Sequence, residues 1–340
     1  MTIFSATRGF WGIMLVSAAI GVGAAQETAL PAYAPIPTQG GAIRSWGDSA
    51  MRSTMKAWEQ AFRSYHPEIT FQDTLLGTAT SMAGIITGTS DLSLMGRPVT
   101  VNEVIGFEWV FRVKPLAIQV MNGSLHGEGK TPALVVFVSR RNPVRQLNMF
   151  QLSAILGCPA NSKEQPTWAM AGAEGVWRDK PIHAYLYGDQ TGTGAFLQQA
   201  IQGTKDCWNW EMVREFKDKI RSNGSTYPAA QQIVDALKRD PYGLAISTLA
   251  YADSEIKVLP LAGSGAAVPL TRETIISSSY PLARGVYIYI NRRKDKPVDP
   301  KVKEFLRFIL SREGQAVVQN QGDYLPLNST SAQEQRKKLE

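Results

Sequence analysis

The strongest constraint on this chain is an alternation that begins near residue 42 and runs almost to its end: short apolar stretches separated by amphipathic stretches of helical length. Residues 43–46, 69–76, 91–95 and 116–121 read as strands, with helices predicted over 50–65 and 80–88 between them. Strands that alternate with helices pair mainly in parallel, because each crossover consumes a helix before the chain returns to the sheet. Residues 122–131, rich in glycine and polar side chains, read as a crossing. The pattern then restarts, with strands over 133–139, 182–187 and 243–248 and helices over 149–156, 195–201, 209–221 and 229–239. A strand over 284–291 and helices over 300–310 and 312–320 follow, and Pro300 suits a first helical position because its missing N–H is not needed there. The expectation is α/β: two lobes, each a mixed, mostly parallel sheet flanked by helices, joined by a hinge. Lobe one takes 42–122 plus 250–327, lobe two takes 131–249, and 328–340 is a flexible C-terminal tail.

Residues 1–25 fit a cleaved export signal: Arg8, an apolar run over 10–20, then Gly23, Ala24 and Ala25 before Gln26. No later segment supplies the roughly 18 apolar residues a membrane span needs, so a periplasmic protein is expected. The remaining length, about 315 residues, is comfortable for two cores. A net charge of +7 suits an anionic ligand. The basic residues are dispersed without interleaved aromatics, however, which speaks against nucleic acid as a partner. Cys158 and Cys207 are the only cysteines; in an oxidising compartment they form a disulfide or stand as two buried thiols. His66, His126 and His183 are scattered, so no metal site or other cofactor is expected. Trp168 and Trp177 read as packing residues.

The segment from Pro181 to Gln202 carries the clearest chemistry: a short strand, then Gly188-Asp189-Gln190-Thr191-Gly192-Thr193-Gly194, then a helix. The first turn of a helix leaves amides unpartnered and partly positive, and glycines let an anion approach them. The same residues also suit an ordinary N-capped helix.

Several segments, in order, resemble the phosphate-binding proteins of bacterial ABC transporters, which are type II periplasmic binding proteins. They are Ala133–Val144 with Gln151–Ile155, the loop Gly188–Phe196, the stretch Tyr280–Asn291, and the closing Ser311–Gln315 and Gly322–Leu327. The resemblance covers most of 43–327. It implies that the lobes close on phosphate or a similar oxyanion, that an ABC permease receives it, that the protein is a monomer, and that no catalysis occurs. The ligand-binding residues it implies are Ser49, Thr78, Thr80, Ser81, Arg97, Asp189, Thr191, Gly192 and Thr193.

The departures are specific. Gly47-Asp48-Ser49-Ala50 stands where the family has Gly-Ser-Ser-Thr, Gly96 replaces a serine ahead of Arg97, and Tyr187 stands where an arginine is expected in the fourth loop. Losing a bidentate arginine removes ~1.5–3 kcal/mol, and Arg97 either compensates or forms an ion pair of its own. Asp48 would accept a proton from a protonated oxyanion or cap the following helix. A degenerate domain serving as a sensor or protein partner is the alternative these departures motivate. Gly47-Asp48-Ser49 also resembles the nucleophile block of GDS-type esterases, but no histidine follows His183 to act as base. Gly129-Lys130-Thr131 lacks the upstream glycine of a phosphate-binding P-loop, since position 124 is Ser124.

Overall fold

The computed structural model describes residue 1 and residues 29–127, 129–158, 165–203, 207–292 and 297–340. The expected leader, apart from Met1, lies outside these residues. The first lobe begins with β1 (Gly41–Gly47), α1 (Arg52–Arg63), β2 (Ile69–Thr74), α2 (Thr78–Ile86), β3 (Leu92–Met95), α3 (Val101–Phe111) and β4 (Leu116–Asn122). The second holds β5 (Leu134–Ser139), β6 (Leu147–Asn148), α4 (Met149–Leu156), β7 (His183–Tyr187), α5 (Gly192–Gln202) and β8 (Val213–Phe216). It continues with β9 (Lys219–Ile220), β10 (Thr226–Tyr227), α6 (Ala229–Lys238), β11 (Gly243–Thr248), β12 (Ile256–Leu259), β13 (Leu261–Ala262) and α7 (Arg272–Ile276). The chain then returns to the first lobe with β14 (Gly285–Ile290), α8 (Pro300–Ile309), α9 (Arg312–Gln321) and α10 (Ser329–Lys337).

Each lobe is built on a five-stranded mixed sheet, in the order β2-β1-β3-β14-β4 in the first and β12-β5-β11-β7-β8 in the second. In both sheets the helix-linked neighbours pair in parallel: β1 with β2 and β3, and β7 with β8 and β11. The strands next to the crossings pair antiparallel, β14 with β3 and β4 and β11 and β12 with β5. Strands covered on both faces should be apolar throughout, and β3, β5 and β11 are buried almost along their whole length. Each lobe has its own core. Trp58, Phe62, Phe305 and Phe308 pack in the first, and Phe137, Trp168, Ile233 and Ile246 in the second.

Three expectations are corrected here. Residues 256–282 belong to the second lobe: β12 pairs with β5, and Leu259, Ile275 and Leu282 enter that lobe's core. No strand was read there from the sequence, and the sheet edge that receives β12 is set by pairing between distant segments. The predicted flexible tail is α10, whose Ala332, with Leu339 beyond it, is buried in the first core, while Gln335 Oε1 accepts from Gln119 N at 3.0 Å. The helix predicted over 209–221 is replaced by β8, an edge strand in register with β7 from Ala184↔Val213 to Tyr187↔Phe216. Sheet pairing there outweighs local propensity. α3 was not foreseen, although its capping box, Thr100 with Glu103, is written in the sequence.

The two passages between lobes run side by side and are bonded to one another. Gly123 N donates to Arg284 O at 2.7 Å, and Leu134 N donates to Leu282 O at 3.2 Å. A Cβ at Gly123 would sit 2.5 Å from Thr131 O and 3.1 Å from Arg284 O, so the close approach requires glycine. Paired crossings of this kind form a hinge between two rigid bodies.

Candidate functional site: an interlobe cleft at two helix N-termini

In the first lobe the site begins where β1 ends. Gly47 has φ +140, and a Cβ there would lie 2.2 Å from Leu94 O and 2.5 Å from Ser81 Oγ, which only glycine avoids. Asp48 follows, its amide donating to Leu94 O at 3.0 Å and its Oδ1 accepting from Ala50 N at 3.0 Å, so it caps the short helical turn Ser49–Met51. Its other carboxylate oxygen points at Gly96: a Cβ at that position would come within 2.8 Å of Asp48 Oδ2 and 2.5 Å of Thr131 Oγ1. The serine expected in the third loop would collide with both, so Gly96 and Asp48 are one coupled departure.

The N-cap of α2 is Gly77, which has no side chain to cap the helix, so no N-cap side chain accepts from its first-turn amides, of which Thr80 N donates to Gly77 O at 3.0 Å. In the second lobe α5 starts at the expected glycine-threonine loop. Thr191 is its N-cap, accepting from Gly194 N at 2.9 Å and donating to Gly188 O at 2.7 Å. The two helix starts face each other across the lobes, because a Cβ on Gly192 would lie 3.8 Å from Thr78 Oγ1.

Arg284, on the return crossing, connects them. Its guanidinium donates to Gly96 O at 2.8 Å in the first lobe and to Thr193 Oγ1 at 3.1 Å in the second, and it stands over the Phe196 ring at 5.1 Å. Only 5% of the residue is exposed, and its Nε has no hydrogen-bond partner. Burial pushes this guanidinium down to about 10, against a partial offset from the Asp48 carboxylate. Tyr187, at the expected arginine position, reaches Ser247 Oγ at 3.4 Å, and burial pushes its phenol up to about 12.

The sequence-predicted ligand-binding residues therefore separate into two groups. Thr78, Gly192 and Thr193 meet in the cleft, and Ser49 lies exposed on the turn beside Asp48. Thr80 spends its hydroxyl on Gly77 O at 2.8 Å, and Ser81 is wholly buried and bonded to Leu94 O at 2.7 Å. Thr191 is committed to its cap, and Asp189 is fixed through its amide to Glu215 Oε1 at 2.7 Å. Arg97 forms a two-pronged ion pair with Glu103, at 2.7 and 2.8 Å, and also donates to Pro98 O. Sequence reasoning missed Arg284. The available signal was an arginine inside the apolar run 282–286, where a buried charge requires a partner.

The esterase reading is not supported, because among the described residues no histidine is hydrogen-bonded to Ser49. His66 is held by Tyr33 Oη and Glu68, and His183 by Asp240. Among the described residues no group of three or more metal-ligating side chains converges, and no helix is long and apolar enough to cross a membrane. Cys158 and Cys207 are bonded, with Cα atoms 5.5 Å apart.

Two sheet-based lobes, a paired-strand hinge and an anion-suited cleft define a solute-binding protein that does no chemistry on its ligand. Residues 32–313 match the PBP superfamily domain, and the chain belongs to that superfamily. It is similar to the phosphate-binding protein PstS of Pseudomonas aeruginosa, with 29% identity over 336 residues, covering 96% of this chain and 97% of that protein. Among solved structures it resembles PstS of Borrelia burgdorferi, at 15% identity and a TM-score of 0.56, over 84% of this chain and 98% of that one. It also resembles an ABC-type phosphate transport receptor from Vibrio cholerae, at 16% identity and a TM-score of 0.55, over 84% of this chain and all of the other. At such identities the structures speak for the fold.

Proposed function

We propose that this protein is an exported receptor that closes its two lobes on phosphate in the cleft described above and hands it, as a monomer, to an ABC permease. The observation that carries the reading is the pairing of Thr78 with Gly192, which sets two helix N-termini from different lobes against one small volume. Each start offers unpartnered amides and partial positive charge, and an oxyanion has the acceptors to use both. The similarity to PstS across nearly the whole chain supports phosphate in particular. The first 25 residues support export.

Thermal unfolding of the mature protein with phosphate, arsenate, sulfate and molybdate tests it. Ligand at a hundred times its dissociation constant adds ~2.7 kcal/mol and raises the melting temperature. Phosphate is expected to give the largest rise. A flat response to all four would sink the receptor reading and leave the domain as a sensor or protein-binding module.

A further inference from the structure

We propose that Arg284 is the bound anion's principal charged partner, supplied from the hinge in place of the arginine missing from the fourth loop. This rests on the oxyanion-binding reading and adds the residue that sets its strength. Three observations carry it. First, the two positions from which the resemblance would draw a cation are closed: position 187 is tyrosine, and Arg97 is neutralised by Glu103. Second, Arg284 is buried as a cation with no carboxylate bonded to it; its acceptors are a carbonyl and a hydroxyl, and Nε has none. A buried charge in that condition is stabilised strongly by an arriving counter-charge. Third, the group is held rigidly at the cleft. Its backbone carbonyl is bonded to the other crossing, its head lies on Phe196, and its bond to Thr193 brings it to the first turn of α5.

A guanidinium has five N–H donors in a planar fork that matches a tetrahedral oxyanion. Here two of those donors hold one atom in each lobe. An anion joining the remaining donors to the first-turn amides of α2 and α5 would neutralise the cation and tie the lobes together in a single event. The hinge thereby reads the ligand's charge directly, rather than responding to contacts made elsewhere.

The test compares unmodified protein with Arg284→Lys, Arg284→Gln and the double variant Arg284→Gln with Tyr187→Arg. Phosphate titration and melting, with and without phosphate, are read for each. Arg284→Gln is expected to weaken phosphate binding by about a hundredfold and to abolish the ligand-induced rise, while leaving the ligand-free melting temperature the same or higher. Arg284→Lys is expected to weaken binding about tenfold, and Tyr187→Arg to restore much of what Arg284→Gln loses. Phosphate affinity within about threefold of unmodified protein in Arg284→Gln would overturn the proposal and leave Arg284 as a latch between Gly96 and Thr193. If Arg284→Gln does not fold, Arg284→Lys supplies the test, and phosphate affinity within about threefold of unmodified protein in that variant overturns the proposal. Asp48, Tyr187, Tyr324 and Arg97 are the charged and titratable groups acting on Arg284, and the two phenols titrate above it. Unmodified protein that binds none of the four oxyanions would instead refute the receptor reading itself.

Discussion

A side-chain carbon at Gly192 would stand 3.8 Å from Thr78 Oγ1, so residues from the two lobes separated by more than a hundred positions are near neighbours across the cleft. That distance is ordinary van der Waals contact. Gly192→Ala is therefore expected to leave phosphate affinity almost unchanged. Gly192→Phe cannot be accommodated in the closed cleft and would wedge it open. We expect at least a tenfold loss of affinity, roughly in proportion to the lost closed population, with the ligand-free melting temperature little changed. Calorimetric titration of both variants checks this.

Arg97 faces Glu103, not the ligand, and its removal should register as stability. Burial alone would raise the Glu103 carboxyl, but the Arg97 guanidinium and the Thr100 amide and hydroxyl outweigh it and hold the group below its ordinary value of 4.5. A depressed carboxyl contributes stability that is present above its unfolded pKa and lost as pH falls through the folded one. Arg97→Ala should cost ~1.5–3 kcal/mol near neutrality, a difference that narrows in acid below about pH 4.5. Phosphate affinity should stay within about twofold. Denaturant titration at several pH values reads the first effect and calorimetry the second. A large loss of affinity would return Arg97 to the cleft.

Arg284 makes a prediction of opposite sign in alkali. Desolvation lowers its folded pKa to about 10, below the ordinary arginine value, so its charged form is disfavoured by folding. The resulting penalty on the ligand-free protein is fully present below about pH 10 and disappears as pH rises toward the unfolded value. Bound anion favours the charged form, so the stabilisation that phosphate confers should shrink as pH rises through about 10. Melting curves with and without phosphate across that range measure the difference directly.

The Cys158–Cys207 bond spans 49 residues of sequence, for which the loop-closure estimate is about 4 kcal/mol. The two cysteines lie just beyond the C-terminal ends of α4 and α5, while the cleft meets the N-terminus of α5. Eleven helical residues put about 16 Å between those ends. Replacing both cysteines by serine should lower the melting temperature substantially and leave phosphate affinity near its original value. Melting and titration of that variant in parallel separate the two effects.

Much of the molecule was readable without coordinates. The alternation of strand and helix, the crossing at 122–131 and the loop before α5 follow from local rules: periodicity, glycine and proline placement, and the unpaired amides of a helix start. The boundaries of α4 and β11 are those expected, whereas α3 was missed although its capping box stands in the sequence. Local rules also marked Gly192 and Thr193 as residues able to receive an anion, while Thr78 was drawn from the family resemblance.

Partner choice was beyond them. Nothing near Arg97 in the sequence states that Glu103 takes its guanidinium, and nothing near Ser81 states that Leu94 takes its hydroxyl. The same chemical groups serve packing or binding according to what the fold brings beside them. The assignment of 256–282 to the second sheet, the docking of α10 on the first, and the position of Arg284 between Gly96 and Thr193 are all contacts between distant segments. The amino-acid order alone determined the α/β class, the two-part organisation and the kind of ligand that helix starts attract. Tertiary structure alone decided which charge meets that ligand, because the energy of a buried cation depends on the neighbours that surround it in three dimensions.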